Sequence, residues 1–127
     1  PIVGDVIGFA LAWEGQEDGV LWISGDTVLY DGVREVARRL DVNLAILHLG
    51  AVRFGLTGPI RYSMTAHDAV ELVRLLRTGT AVPVHYEGWS HFSEGQEGIA
   101  RELAAAPDDV RARFRVVDRG TPVEIPM

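Results

Sequence analysis

Two apolar runs of the sequence each end on a side chain that can bind a metal ion or transfer a proton. The run VLWISGDTV, at residues 20–28, stops at Asp26 inside a Ser-Gly-Asp-Thr turn. The run AVPVHYEGW, at residues 81–89, stops at His85 ahead of a glycine-containing loop. Carboxylate oxygens and neutral imidazole nitrogens are common ligands of zinc and similar ions. Two strands that stop at such groups predict one site at one edge of a sheet, where open α/β sheets place their ligands.

Several further side chains could support or line such a site. Thr27 could orient the carboxylate of Asp26 through a hydrogen bond, although a Gly-Asp-Thr stretch also occurs in simple Asx turns. His48, near the end of the run LAILHLG, is interpreted as a core histidine or as a residue that supports a ligand. His91 could line the pocket or its lid. Arg53 could bind an anionic substrate group in a bidentate manner.

Other candidates have plainer interpretations. His67 lies in the first turn of a predicted helix and is expected to face solvent. Trp89 and Phe92, on the loop that follows His85, are interpreted as packing residues rather than as substrate-binding platforms.

The elements that must position these residues follow from the periodicity of the apolar side chains. Strand and helix patterns alternate in the order β-β-α-β-α-β-α-β-β, which is typical of a layered α/β protein. The helix over 65–79 has Thr65 and Asp68 at capping-box spacing. Residues 1–127 form a single domain or a half-domain. The predicted elements are a hairpin of 6–13 with 20–24, a helix over 31–40, a strand over 43–50, a loop over 50–63, the helix over 65–79, a strand over 81–85, a helix over 93–106 that Ser93 caps, and two short strands within 115–125.

Composition excludes several functional classes. The net charge is -6, so the clustered positive charge of a nucleic-acid-binding surface is missing. All 12 basic residues are Arg, which excludes a Schiff-base lysine and the lysine of a phosphate-binding P-loop. The chain has no Cys, which excludes disulfides and thiolate ligands. No run approaches the ~20 apolar residues of a membrane span. We expect a cytoplasmic protein that acts on a small molecule, without a nucleic-acid or membrane partner.

Three stretches together resemble the C-terminal half of the metallo-β-lactamase-fold hydrolases, and most closely the branch related to ascorbate-phosphate lactonases. GFALAWEGQEDGVLWISGDTVLYDG is similar to the family hairpin that ends in a Gly-Asp-Thr metal motif. MTAHDAVELVRLLRTGTAVPVHYEGW resembles the helix and strand that end in the last metal-binding histidine. LAILHLGA lies between them, as the intervening strand does in that family.

The resemblance implies both a fold and a chemistry. The fold would be the C-terminal half of a four-layer αββα sandwich, with one mostly buried mixed sheet and helices on one face. Two divalent metal ions, zinc or manganese, would lie at the strand ends. Asp26 would bridge both ions and His85 would bind the second. A metal-bound hydroxide would attack a small ester, lactone or phosphodiester.

The sequence also departs from the family pattern. The motif His-x-His-x-Asp-His is absent, and so is the histidine that precedes the Gly-Asp-Thr hairpin in the family. The resemblance implies that both lie N-terminal to Pro1, in a longer protein, and that this chain alone is inactive and binds no metal of its own. It also implies a sheet face left uncovered, and hence self-association or pairing with a missing N-terminal half.

Particular residues decide between the other interpretations of the sequence. A degenerate relative that binds a ligand or a protein without catalysis remains the alternative. A phospho-acceptor receiver module would need a late lysine, which the chain lacks. A dinucleotide-binding fold would need Gly-x-Gly-x-x-Gly between a strand and a helix, which is also absent.

Overall fold

The computed structural model describes residues 4–127, which form one mixed sheet packed against a layer of helices. The sheet order follows the sequence order, with an antiparallel hairpin at one edge and two parallel pairings after it. This confirms the predicted mixed α/β architecture. The strands are β1 (Phe9–Leu11), β2 (Val20–Ile23), β3 (Val42–His48) and β4 (Thr80–Val84). The helices are α1 (Asp31–Arg39), α2 (Ala66–Leu76), α3 (Gln96–Ala105) and α4 (Asp108–Arg111), with a short 3-10 turn at Gly55–Thr57.

The helices pack on one face of the sheet and enclose the core. Helix α2 lies at the centre of this layer and contacts α1, α3 and α4. Its buried residues recur at helical spacing, as expected for a helix with one apolar face. From the sheet, alternate residues point into the same core, because successive side chains of a strand face opposite ways. These sheet residues are Trp22, Ala45, Leu47 and Ala81.

The opposite face of the sheet is apolar as well. The strand register places one side chain from each strand beside its neighbours on this face. None of these side chains belongs to the core cluster that residues 4–127 form with the helices. Phe9 and Leu11, on the outer strand, are 52% and 46% exposed, whereas Leu44, on β3, and Val82, on β4, are buried. We call this surface the open face, and its residues are Phe9, Leu11, Leu21, Ile23, Leu44, Ile46 and Val82.

Most predicted elements are confirmed, with differences at helix ends. Helix α2 begins with the predicted capping box, in which Thr65 and Asp68 each accept the other's backbone N–H. It ends at Arg77, which adopts a left-handed conformation (φ 53°), and not at Gly79. Helix α3 begins two residues later than predicted, with Gly95 as its N-cap, because the hydroxyl of Ser93 donates to the carbonyl of Ala51 instead of capping the helix.

The two strands predicted within 115–125 are wrong. Among the described residues, the C-terminal segment pairs with the sheet through one isolated parallel bridge, between Phe114 and Ala81 at the outer edge of β4. Two backbone hydrogen bonds of 2.8 Å, which join Ala81 to Arg113 and Arg115, make this bridge. Beyond this bridge, residues 115–125 have no partner strand in the part of the chain that the structure describes. They therefore form no strand, although their composition favours one.

Helix packing on the inner face should dominate the stability of the chain. Replacing Leu47, whose side chain is fully buried, by Ala should lower the free energy of unfolding by about 2–5 kcal/mol, because it leaves a cavity in the core. The matched control is Leu56→Ala, since Leu56 is 100% exposed and its loss should change stability by less than about 0.5 kcal/mol. Urea unfolding of both variants measures this, and equal effects would contradict the assignment of the core.

Candidate functional site

The side chains of Asp26 and His85 meet at one edge of the sheet, as their positions after β2 and β4 predict. The Nδ1 atom of His85 lies 3.3 Å from the Oδ1 atom of Asp26. The turn that carries Asp26 depends on Gly25, which has a positive φ of 65°. A Cβ atom there would lie 2.7 Å from the carbonyl oxygen of Ile7, so only glycine fits between the turn and the chain beneath it.

His85 is held in an uncommon conformation. Its φ is 59°, which is rare for a residue that has a side chain and is frequent at functional sites. The preceding carbonyl, of Val84, accepts a 2.9 Å hydrogen bond from the N–H of Leu49, which holds the end of β4 against the end of β3. The ring of Phe92 packs edge-on against the imidazole, with ring centroids 5.0 Å apart.

One ring nitrogen of His85 is buried without a hydrogen bond. Within residues 4–127, Nδ1 has no partner of acceptable hydrogen-bond geometry, although the Asp26 carboxylate lies within ion-pair distance. Buried polar atoms are nearly always paired, so each exception needs an explanation. Binding of a cation between this nitrogen and the carboxylate would satisfy both groups.

His48 is the third polar side chain of this edge. It ends β3, and its ring lies 5.6 Å from the ring of His85. Ser24, which is buried, accepts a 3.0 Å hydrogen bond from the backbone N–H of His48, and its hydroxyl lies 3.4 Å from the Nδ1 atom of the same residue. Burial lowers the pKa of His48, the Asp26 carboxylate opposes this shift, and His85 lowers the pKa further. The imidazole of His48 is therefore neutral at neutral pH.

The remaining predicted residues lie around this cluster in different ways. The hydroxyl of Thr27 donates to the carbonyl of Val28 at 3.3 Å, and the described part of the chain shows no bond from it to Asp26. Arg53 is exposed, and its backbone N–H donates to the carbonyl of His91. The ring of His91 contacts other aromatic rings on the loops that follow β3 and β4.

Sequence reasoning missed Ser24 and Gly50. Ser24 follows the last residue of β2, so strand alternation was a usable signal that its side chain faces the helices. Gly50 has a φ of 89°, and a Cβ atom there would lie 2.6 Å from the ring of Phe92 and 2.7 Å from the carbonyl of His85. No local pattern marks this close approach, because the residues that it brings together are more than 30 positions apart.

Asp26 and His85 fit a metal ion as part of a ligand set. Residues 4–127 contain no group of three or more His, Asp or Glu side chains arranged to hold an ion. A catalytic zinc normally has three protein ligands, so the two residues supply fewer than one complete site needs. No helix within the same residues is long and apolar enough to cross a membrane.

Known proteins similar to this chain are metal-dependent hydrolases. No family model matches the sequence. A curated relative from Pelotomaculum thermopropionicum, described as a UPF0173 metal-dependent hydrolase, is 24% identical over 123 residues, which cover 97% of this chain and 47% of the relative. This sequence similarity supports a relationship between the chain and a family of metal-dependent hydrolases. The chain therefore spans about half the length of the metal-dependent hydrolase that it matches.

Two solved structures share the fold. A possible metal-dependent hydrolase from Veillonella parvula superposes with a TM-score of 0.82 at 19% identity, covering 95% of this chain and 44% of that one. An isothiocyanate hydrolase from Delia radicum gut bacteria also gives a TM-score of 0.82, at 18% identity, covering 98% of this chain and 45% of the other. At this level of identity the likeness shows that the mixed sheet and its helices have the same fold as these two structures.

Burial of neutral His48 should make stability depend on pH. Its pKa is lower in the folded chain than the ordinary value of 6.5, so below that value the unfolded chain takes up more protons. The contribution of His48 to the free energy of unfolding should therefore be complete above about pH 6.5. It should be lost as the pH falls through the pKa that His48 has in the folded chain. In His48→Gln this loss of stability should be smaller, which urea unfolding between about pH 7.5 and 5 in the presence of a chelator measures.

The matched control for this measurement is His67→Gln, since His67 is exposed on α2. It should retain the pH dependence of the unmodified chain. An equal pH dependence in His48→Gln and the unmodified chain would show that His48 does not change its protonation behaviour on folding.

Proposed function

We propose that Asp26 and His85 are metal ligands of a metal-dependent hydrolase that acts on a small ester, lactone or phosphodiester. The observation that carries this proposal is the 3.3 Å contact between the Asp26 carboxylate and a buried His85 nitrogen that lacks a hydrogen bond. The homology to metal-dependent hydrolases supports it independently. The proposed cofactor is a pair of divalent ions, zinc or manganese, which Asp26 and His85 would help to hold.

The residues of this chain have defined tasks in that proposal. A divalent ion pair, when bound, lowers the pKa of water and stabilises negative charge that develops on the substrate. The Asp26 carboxylate would hold the ions and offset part of their positive charge. His85 is oriented by the ring of Phe92 and by its strained backbone. His48, kept neutral by burial, lies beside His85 and adds no positive charge near the ions.

The rest of the ligand set is proposed to come from outside this sequence. Two ligands leave each ion short of the three protein ligands that a catalytic zinc normally has. The chain covers 47% of its Pelotomaculum relative, which leaves room for the histidine-rich motif in the remainder of a longer protein. We propose that the chain alone is inactive for this reason.

A non-catalytic module that binds a ligand or a protein is the second candidate. The absence of a three-ligand cluster among residues 4–127 favours it. The two candidates differ in whether metal bound at Asp26 and His85 supports hydrolysis.

Loss of either proposed ligand should remove both metal and activity. In the complete natural protein that carries this sequence, Asp26→Ala and His85→Ala should each lower the metal content measured by plasma mass spectrometry. Each should reduce kcat/KM by more than about 100-fold, which exceeds the 10–100-fold effect typical of residues that only support a ligand. Asp41→Ala and His67→Ala are matched controls, because both residues are exposed.

The two candidate functions predict different results in this experiment. Metal content and activity unchanged in the Asp26 and His85 variants would contradict the metal site. Metal that depends on both residues, without turnover of any ester, lactone or phosphodiester tested, would favour the binding module.

The open face supports a proposal about partners. It carries apolar residues from all four strands, and Phe9 and Leu11 are about half exposed. Contiguous apolar surface of this kind usually marks an interaction site. We propose that a second sheet covers it, either from a further part of a longer protein or from another copy of this chain.

The chain on its own should therefore self-associate at micromolar concentration. Sedimentation velocity should show species larger than a monomer, because burial of the open face removes apolar surface from water. Replacing Phe9 and Leu11 together by Glu should shift the distribution towards monomer. The corresponding control is Leu75→Glu, which changes an exposed leucine on helix α2. A stable monomer of the unmodified chain would refute the proposal.

A further inference from the structure

A row of aromatic rings lies on the loops that follow β3 and β4. Neighbouring ring centroids are 5.2 to 5.6 Å apart, within the range in which aromatic pairs attract one another. Trp89, interpreted from the sequence as a packing residue, is 68% exposed. Phe54 is also exposed. We call this set the aromatic row, and in spatial order it consists of Trp89, His91, Phe54 and Tyr62.

The aromatic row is continuous with the proposed metal ligand His85. The ring of His91 lies 5.2 Å from the ring of Phe92, and Phe92 lies 5.0 Å from the ring of His85. His91 of the row thus lies two ring contacts away from the imidazole of His85. A molecule whose reacting group lies at Asp26 and His85 would reach the row across the ring of Phe92.

The backbone holds the two loops together, so the row has a defined shape. The carbonyl of Gly50 accepts hydrogen bonds from the N–H groups of Ser93 and Glu94, at 3.0 and 3.1 Å. The N–H of Arg53 donates to the carbonyl of His91 at 3.1 Å. These bonds join the start of one loop to the end of the other and place Phe54 beside His91. A preformed apolar surface of this kind binds without first having to be ordered.

We infer that the aromatic row binds the apolar part of the substrate, an aryl or branched alkyl group carried a few bonds from the group that is hydrolysed. This inference rests on the proposed function and narrows its substrate class. Pockets for small molecules are mostly apolar, with a few polar groups that fix orientation. Here Asp26 and His85 are the polar groups, and the row is the apolar wall. Exposed Trp89 and Phe54 supply a large apolar area whose burial favours binding.

The position of the row favours a small substrate over a protein partner as its occupant. The open face is formed by the strands rather than by the loops that carry the row. The row instead lies on the loops that follow β3 and β4, and His91 is joined to His85 through the ring of Phe92.

Two carboxylate probes separate the row from the metal site. The complete natural protein that carries this sequence, loaded with zinc, is titrated with acetate and with phenylacetate, which resemble hydrolysis products and differ only by the phenyl group. Nuclear magnetic resonance follows binding and the indole N–H signal of Trp89. Phenylacetate should bind at least about tenfold more tightly than acetate, because the ring is buried on the row. The indole signal of Trp89 should move with phenylacetate and not with acetate.

Substitutions in the aromatic row test whether the row causes the preference for phenylacetate. Trp89→Ala and Phe54→Ala should each reduce the preference for phenylacetate several-fold and leave the affinity for acetate unchanged. Trp13→Ala is the matched control, because Trp13 is similarly exposed, at 51%, next to the outer strand β1. It should retain the full preference.

Each outcome tests a different step of the inference. If both probes bind only to the zinc-loaded protein but with equal affinity, or if the preference survives in both row variants, the inference is overturned and the metal site stands. If neither probe binds in a zinc-dependent manner, the proposed function fails, and the inference fails with it. If the preference depends on zinc, Trp89 and Phe54, both stand.

Discussion

Parallel pairing of β2, β3 and β4 is the constraint on which the candidate site depends. Parallel strands end at the same edge of a sheet, so the residues that follow them are brought together however far apart they lie in the chain. Asp26, His48 and His85 meet for this reason, although nearly 60 positions separate the first from the last. The hydrogen bond from the N–H of Leu49 to the carbonyl of Val84 extends the pairing beyond the last residue of β3, directly before His85 and its left-handed conformation.

The two faces of the sheet contribute differently to the stability of the molecule. Helices bury the inner face, where alanines of the central strands allow close packing and Leu47 fills the remaining space. The outer face has equally apolar residues but no helix of the core cluster against it among the described residues. A sheet whose faces are both apolar requires cover on both sides. The homology to a hydrolase about twice as long is consistent with that requirement.

The candidate site combines polar groups with an apolar surround, and this combination determines its chemistry. Burial keeps His48 neutral, so this residue brings no positive charge near the Asp26 carboxylate. A buried nitrogen of His85 lies beside the same carboxylate without a hydrogen bond. In the proposed function a divalent cation would compensate this carboxylate, and an apolar surround strengthens such electrostatic interactions. The aromatic row continues this surround from Phe92 towards solvent. Asp26, His85 and the aromatic row all lie on the loops that follow β2, β3 and β4.

The sequence by itself determined the alternation of strands and helices, the capping box of α2 and the positions of Asp26 and His85 at strand ends. These features are local, because apolar periodicity and capping need only neighbouring residues. Tertiary structure alone decided the start of α3, where Ser93 bonds to Ala51, and the absence of strands in 115–125, for which residues 4–127 supply no partner strand. It also decided that Trp89 joins an exposed row of rings instead of the core. Each of these depends on contacts between residues distant in the chain, whose pairing no local pattern encodes.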